Sequence, residues 1–165
     1  MLCGPYLDNR IGCVTLLLAM EQLAEAETEN DLYFVFTSQE EVGLRGAGAA
    51  AFSVEPDIAI AVDVTDTGDL PERKTPMAVD MGKGPAVKVM DRSVICHPQL
   101  VETLERLAGE REVPVSGTSC GAAAPDAGAI HTTRMGVLTG GVSRPLPVYP
   151  HPHGDGLTWG TQRPA

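Results

Sequence analysis

Basic residues are scarce in this sequence. Only three lysines occur among 165 residues, and the 12 lysines and arginines are outnumbered by 22 acidic residues, so that the net charge is −10. A nucleic-acid-binding surface needs clustered lysine and arginine to neutralise phosphates. The composition therefore argues against a protein that binds nucleic acid.

Long apolar runs are also missing. No stretch of about 18 apolar residues occurs, so no segment is expected to span a bilayer. The N-terminus has no basic stretch followed by an apolar core, which argues against a signal peptide. The four cysteines form no CxxC pair, and we expect reduced thiols in a cytoplasmic protein.

Helices and strands are predicted to alternate along the chain. Apolar residues among good helix formers predict helices at 11–26, 43–52 and 97–110. Short apolar and β-branched runs predict strands at 31–37, 58–64, 85–90, 113–115 and 136–142. This alternation predicts an α/β fold with a mixed, mostly parallel sheet and helices on both faces. Residues 145–165 lack periodicity and read as an irregular C-terminal tail.

Acidic residues follow two of the predicted strands. Glu40 and Glu41 come directly after the run at 32–36, and Asp63 lies at the end of the strand at 58–64. Ligands of open α/β sheets bind outside the carboxyl ends of the strands. Adjacent carboxylates repel each other unless a metal or a proton separates them. One glutamate could bind a metal while its neighbour takes a proton from the attacking water.

Each of these acids also has a simpler interpretation. Glu40 and Glu41 could start the next helix, where the helix dipole favours acids. Asp63 could be a strand-end turn residue, and Asp8 could be a helix N-cap. Considered one at a time, these acids could be either metal-site residues or ordinary structural residues.

The four histidines fall into different settings. His97 precedes a proline at a predicted helix start and is expected to be a surface or capping residue. His131 follows a short apolar stretch and is expected to be structural. His151 and His153 lie in a proline-rich segment that could be a tail or a metal site.

The order of the motifs is more specific than any one of them. The series is LDNRIGC at 7–13, FVFTSQEEVGLRGA at 34–47 and VDVT at 62–65, followed by MGKGPAVKVMD at 81–91 and DAGAIH at 126–131. It resembles the glutamyl-aminopeptidase family of two-metal peptidases, which includes the tetrahedral aminopeptidases. The resemblance covers roughly positions 4 to 142 and implies a zinc-exopeptidase-like fold.

The resemblance implies a site with two divalent ions, expected to be zinc or cobalt. Asp8 would bridge the ions, Glu41 and His151 would bind one of them, and Asp63 would bind the other. Glu40 would be the general base. The implied reaction removes N-terminal residues from peptide substrates by attack of an activated water.

The sequence also departs from the family pattern. Family members have a longer N-terminal part with a further metal-binding histidine and a small β domain used in assembly into homo-oligomers. We therefore expect residues 1–144 to be part of a catalytic domain truncated at its N-terminus, with one ion held well and no assembly into the family's oligomers. After His151 the acidic helix expected from the family is replaced by PHGDG at 152–156, so His153 is the alternative to His151 as the late ligand.

Two alternative functions remain at this point. The chain could be an inactive or weakly active fragment that binds one divalent metal or a partner chain. A carbohydrate hydrolase with paired carboxylates is disfavoured, because adjacent Glu40 and Glu41 cannot flank a sugar bond from opposite sides.

Overall fold

The computed structural model describes residues 4–69, 77–120 and 125–146. Within these ranges the chain forms four helices and four strands. The helices are α1 (Leu7–Leu23), α2 (Arg45–Val54), α3 (Pro98–Glu110) and α4 (Ala127–Ile130). The strands are β1 (Ile58–Thr65), β2 (Ala86–Met90), β3 (Ser116–Cys120) and β4 (Leu138–Pro145). No helix in the described part of the chain is long and apolar enough to cross a membrane.

The described strands form one mixed sheet in the order β1-β4-β2-β3. β1 runs parallel to β4, β2 runs parallel to β3, and β2 runs antiparallel to β4. Two of the three pairings are therefore parallel. The predicted α/β fold with a mixed, mostly parallel sheet is confirmed.

Small residues allow the helices to approach the sheet closely. A Cβ added at Gly140 of β4 would make van der Waals contact with the Cβ of Leu100 at 3.5 Å, which shows how closely α3 approaches the sheet. Ala61 of β1 packs with Cys96 and with Ala127 of α4 in the buried cluster. Close packing of this kind fixes the ends of β1 and β4 relative to α3 and α4.

A buried ion pair lies in the same sheet. Lys88 Nζ is 3.3 Å from Asp91 Oδ2, and both side chains are fully buried. Lys88 lies opposite Gly141 of β4, where a Cβ would approach the Lys88 Cβ to 3.1 Å. Gly141 therefore leaves space for the aliphatic part of the lysine to cross β4. Removing either charge would leave its partner buried and unpaired, which is strongly destabilising.

Two strand predictions are wrong. Residues 31–37 form no strand, because no other described segment shares backbone hydrogen bonds with them. The strand predicted at 113–115 is β3, which begins three residues later, because its start is set by pairing of Ser116 with Ala86 of β2. The other predicted elements are present, with ends that differ by up to four residues.

Candidate functional site

The start of α1 is connected to β1 by one side chain. Asp8 and Asn9 have non-helical backbone angles at the beginning of α1. The Asn9 Nδ2 atom donates a hydrogen bond to the carbonyl of Val62 at 3.0 Å, and Asn9 Oδ1 accepts one from the Gly12 N–H at 3.0 Å. Since Val62 precedes Asp63 in β1, the Asn9 amide holds the backbone of Asp8 next to that of Asp63.

Glycine is required beside this amide. A Cβ built on Gly12 would collide with the side chain of Asn9. The glycine in the LDNRIG motif therefore keeps the space in which the Asn9 amide reaches β1. Asn9 and Gly12 of the motif thus have a structural role, which is to connect α1 to β1.

The segment that carries Glu40 and Glu41 is a tight turn between residues 31–37 and α2. The Glu40 carbonyl accepts hydrogen bonds from the N–H groups of Gly43 and Leu44, at 3.0 and 2.9 Å. Gly43 has a φ of +117°, in the region that glycine adopts without strain. The two glutamates are thus presented from a turn, not from the first turn of a helix as the simpler interpretation proposed.

A second glycine closes the same turn. The Gly46 N–H donates to the Ser38 carbonyl at 3.0 Å, and a Cβ on Gly46 would lie 2.6 Å from the Ser38 backbone nitrogen and oxygen. Only glycine allows this approach of the two backbones. The position of the turn, and with it the position of Glu40, depends on Gly46.

The carboxyl group of Glu40 has a raised pKa. Partial burial is the main cause that raises its pKa from 4.5 to about 7, and the charges of Asp63, Glu41, Asp126 and Asp8 raise it further, in that order. These contributions show that Glu40 lies within electrostatic range of four other carboxyl groups. Negative charges on these neighbours disfavour ionisation of the Glu40 carboxyl group.

The other predicted acids share this environment. Burial raises the pKa of Asp63 to about 6, although the Val64 N–H donates to its Oδ1 at 2.8 Å and the Lys88 ammonium opposes the rise. Burial and then the charge of Glu41 raise the pKa of Asp8. Glu41 itself is exposed. The structure therefore gathers Asp8, Glu40, Glu41 and Asp63 into one region of negative potential.

Asp126 belongs to the same region and was assigned no role from the sequence. The Thr37 hydroxyl donates a short hydrogen bond to its Oδ2, while Oδ1 is buried without a hydrogen-bond partner among the described residues. The charge of Asp126 raises the pKa of both Glu40 and Asp63. Its partner Thr37 lies 89 residues earlier in the chain, so no local pattern predicts the contact.

The donor chemistry of this region suits a hard or borderline divalent cation. Carboxylate oxygens are ligands for zinc and similar ions, and a cation would relieve the repulsion that raises the pKa values. Within the described ranges, however, no group of three or more histidine, cysteine, aspartate or glutamate side chains is arranged to hold a metal ion. His151 and His153 lie outside the described residues. The metal-ligand assignment stays a prediction.

The two histidines that were given no metal role have other settings. His131 Nδ1 lies 3.1 Å from the Ala127 carbonyl, one turn earlier in the chain. His97 is the N-cap residue of α3, directly before Pro98 at the first helical position, although its side chain makes no capping hydrogen bond. His97 occupies the capping position expected from the sequence, and the structural role of His131 stays a prediction.

Comparison with known proteins assigns the family. The M42 glutamyl aminopeptidase family matches residues 1–153, which is most of the chain. The chain belongs to the M42 glutamyl aminopeptidase family. The resemblance seen in the sequence motifs is therefore confirmed.

Similar M42 proteins are considerably longer than this chain. A relative from Acetivibrio thermocellus is 53% identical over 140 residues, which cover 85% of this chain and 42% of the relative. The lysyl aminopeptidase of Pyrococcus furiosus is 37% identical over 143 residues, covering 86% of this chain and 40% of that enzyme. The chain thus spans less than half the length of these relatives.

Solved M42 structures share the fold. The TET aminopeptidase of Thaumarchaeota archaeon SCGC AB-539-E09 has a TM-score of 0.83 and 34% identity, covering 88% of this chain and 41% of that one. A Pyrococcus horikoshii TET1 peptidase, described as assembling into a tetrahedron or a large octahedral shell, has a TM-score of 0.73 and 29% identity, with coverages of 88% and 42%. These likenesses confirm the fold class.

Proposed function

We propose that this chain forms part of a metal-dependent aminopeptidase that removes N-terminal residues from peptides. The observation that carries the proposal is the position of Glu40, whose pKa is raised to about 7 by burial and by the surrounding carboxyl groups. Membership of the M42 family supports peptide hydrolysis as the reaction class. The lysyl aminopeptidase from Pyrococcus furiosus supports an exopeptidase that acts at N-termini.

The acids around Glu40 are the proposed metal ligands. Asp8 would bridge two divalent ions, Glu41 would bind one and Asp63 the other, with His151 as a further ligand from outside the described residues. Zinc or cobalt suits carboxylate and imidazole donors. When bound, such ions polarise the scissile carbonyl and make water a better nucleophile at neutral pH.

Glu40 would move the proton in this reaction. A general base must lie within reach of the proton that it accepts, and the turn presents Glu40 beside the proposed ligands Asp8, Glu41 and Asp63, where burial and then the charges of these acids raise its pKa. The carboxylate would accept a proton from the attacking water and pass it to the leaving amine. The turn that Gly46 closes would hold Glu40 in place for both transfers.

The number of available ligands predicts which ion binds more tightly. Asp8, Glu41 and His151 would supply three ligands and an open position to one ion, whereas Asp8 and Asp63 supply two ligands to the other. We therefore expect one divalent ion to be held better than two. Turnover by this chain alone is expected to be weak, because two protein ligands would bind the second ion only weakly.

The test is an aminopeptidase assay on an aminoacyl-p-nitroanilide with added zinc or cobalt. Replacement of Glu40 by glutamine should lower kcat by at least about a hundredfold with little change in metal binding, since only the proton acceptor is lost. Glu105→Gln on the exposed face of α3 is the matched control and should leave turnover unchanged. Turnover that survives Glu40→Gln would rule out Glu40 as the general base, and the absence of any metal-stimulated turnover would favour the inactive fragment.

A further inference from the structure

The backbone hydrogen bonds of the turn that carries Glu40, residues 38–46, are local. The N–H groups of Gly43 and Leu44 donate to the Glu40 carbonyl at 3.0 and 2.9 Å. Such bonds set the shape of the turn but do not set its place relative to the sheet. The preceding residues 31–37 share no backbone hydrogen bond with another described segment. The place of the turn in the fold therefore depends on contacts made by its side chains.

One side-chain hydrogen bond joins the beginning of this turn to a distant segment. The Thr37 hydroxyl, directly before the turn, donates to the Asp126 Oδ2 atom across 89 residues of sequence. Among the described residues, it is the one hydrogen bond that joins residues 37–46 to a segment other than the turn itself and α2. A hydrogen bond to a carboxylate is roughly twice as strong as one between neutral groups.

Asp126 is held firmly at the start of α4. It is the N-cap residue of this helix, but its side chain makes no capping hydrogen bond, so the carboxyl group is available to Thr37. The next residue, Ala127, is fully buried and packs with Ala61 of β1. Because close packing restricts movement of α4 relative to β1, the Asp126 carboxyl is a fixed point for the turn.

Both ends of the turn contact α4 or the residue that caps it. At the downstream end, a Cβ built on Gly128 would lie 3.1 Å from Leu44 Cδ1, so the Leu44 side chain packs closely on α4. At the upstream end, the Thr37 hydroxyl reaches Asp126. Glu40 lies between these two contacts, three residues after Thr37. Its position therefore depends on both contacts, one apolar and one a hydrogen bond.

The Asp126 carboxyl also lies near the acid of β1. After burial and the charges of other acids, the charge of Asp126 adds to the raised pKa of both Glu40 and Asp63. Ala61, which packs with Ala127, lies two residues before Asp63 in β1. The hydrogen bond from Thr37 to Asp126 therefore joins the turn to the part of the core that carries Asp63.

We propose that Thr37 and Asp126 are positioning residues that hold the turn of Glu40 against α4 and so keep the Glu40 carboxyl beside Asp63. Thr37 acts through the backbone that leads to Glu40, and Asp126 acts through Thr37. The effect on catalysis rests on the proposed role of Glu40 as general base, whereas the hydrogen bond itself is present in the metal-free chain. Displacement of a catalytic group by about 1 Å can lower a rate about a hundredfold.

Amide hydrogen exchange of the chain in a chelator tests this role without requiring metal or turnover. Thr37→Val removes the hydroxyl at nearly the same side-chain shape. It should speed exchange of the hydrogen-bonded amides of Gly43, Leu44 and Gly46 by at least about tenfold, because the turn opens more easily once a bond to a charged group is lost. Exchange in α3 should stay unchanged, which separates local opening from global unfolding. Thr37→Ser keeps a hydroxyl and should restore slow exchange in the turn.

The matched control is Thr133→Val. It removes another half-buried hydroxyl, which donates to the Ala129 carbonyl of α4 at 3.0 Å, and should leave exchange in the turn unchanged. Asp126→Asn should speed exchange in the turn as Thr37→Val does. Added to Thr37→Val, it should have little further effect, because the partner of the hydrogen bond is already lost.

The consequence for catalysis is measured in the aminopeptidase assay with added zinc or cobalt. Thr37→Val should lower kcat by about ten- to hundredfold while KM and metal content stay unchanged, because only the placement of Glu40 is altered. Thr37→Ser should recover most of the turnover. A variant that had lost its fold would lower metal content as well as kcat.

Three results would overturn the proposal. These are equal exchange in the turn of Thr37→Val and the unaltered chain, turn amides that are unprotected in the unaltered chain, and loss of a bound ion from Asp126→Asn, which would make Asp126 a metal ligand. If Thr37→Val does not fold, Asp126→Asn decides by the same exchange measurement. Faster exchange with unchanged kcat would overturn the effect on catalysis. Faster exchange in a chain that shows no metal-stimulated turnover would contradict the proposed function and support the positioning of the turn.

Discussion

Asn9 and Val62 join the two elements that carry Asp8 and Asp63. The Asn9 Nδ2 atom donates to the Val62 carbonyl at 3.0 Å, across 53 residues of sequence. Asp8 precedes Asn9 and Asp63 follows Val62, so this one hydrogen bond places the backbones of both acids together. The asparagine of the LDNRIG motif therefore acts as a positioning residue.

Removal of the Asn9 amide tests this role. Asn9→Ala should lower the free energy of unfolding by about 1–3 kcal/mol, because the Val62 carbonyl and the Gly12 N–H lose their partly buried partner. Chemical denaturation measures the change. Thr15→Ala, which removes an exposed hydrogen bond from the same helix to Ile11, is the control and should change stability little. Equal decreases in the free energy of unfolding of the two variants would show that the Asn9 hydrogen bonds stabilise the fold no more than an exposed one does.

Two glycines of α2 should respond oppositely to alanine. Gly46→Ala should destabilise the protein by about 1–3 kcal/mol, because its Cβ would lie 2.6 Å from the Ser38 backbone. Gly48→Ala should be neutral or stabilise by up to about 1 kcal/mol, because its Cβ meets only Ala129 at 3.8 Å and alanine favours helix. Unfolding midpoints of both variants give the comparison. A stable Gly46→Ala protein would show that the turn bearing Glu40 tolerates a different shape.

Stability of the metal-free chain should depend on pH. The folded-state pKa values of Glu40 and Asp63 are raised to about 7 and about 6 from 4.5 and 3.8. Their contribution to stability is therefore fully present below the unfolded values and is lost as pH rises through the folded values. In the presence of a chelator, the unfolding temperature should fall between about pH 4 and pH 7. Glu40→Gln should reduce this fall, and a metal-free protein that gains stability over the same range would contradict the pKa shifts.

His131 should affect stability more than metal content. Its ring nitrogen contacts the Ala127 carbonyl at 3.1 Å, and it is half-buried after α4. His131→Ala should cost about 1 kcal/mol, the typical value of one hydrogen bond, with bound metal unchanged by elemental analysis. A lower metal content in His131→Ala than in the unaltered chain would instead assign His131 to the metal site.

The sequence predicted the sheet class and the place of Asp63 near the end of β1 because both depend on local patterns. Apolar runs marked β1 and β2, whereas Glu40 and Glu41 were placed after a strand that does not form. Residues 31–37 failed as a strand because strand formation requires a neighbour, which composition cannot supply.

Long-range contacts set the remaining limits. The start of β3 was misplaced because it is set by pairing with β2, which lies 30 residues earlier. Asp126 was missed because its hydrogen bond to Thr37 and its effect on Glu40 exist only once distant segments have packed. Gly46 belongs to a recognised motif, but the sequence does not show why glycine is needed there. The close approach of Gly46 to the Ser38 backbone is visible only in the folded turn.

Calorimetric titration with zinc or cobalt tests most directly whether Asp63 and its neighbouring acids bind divalent metal. Asp63→Asn should weaken binding of the second ion by more than about a hundredfold, the upper end expected for groups that only support a ligand. Asp57→Asn is the matched control, because Asp57 is an exposed residue directly before the other end of β1. Metal binding that falls for Asp63→Asn and not for Asp57→Asn is the predicted result. Equal metal binding by both variants and the unaltered chain would contradict the account.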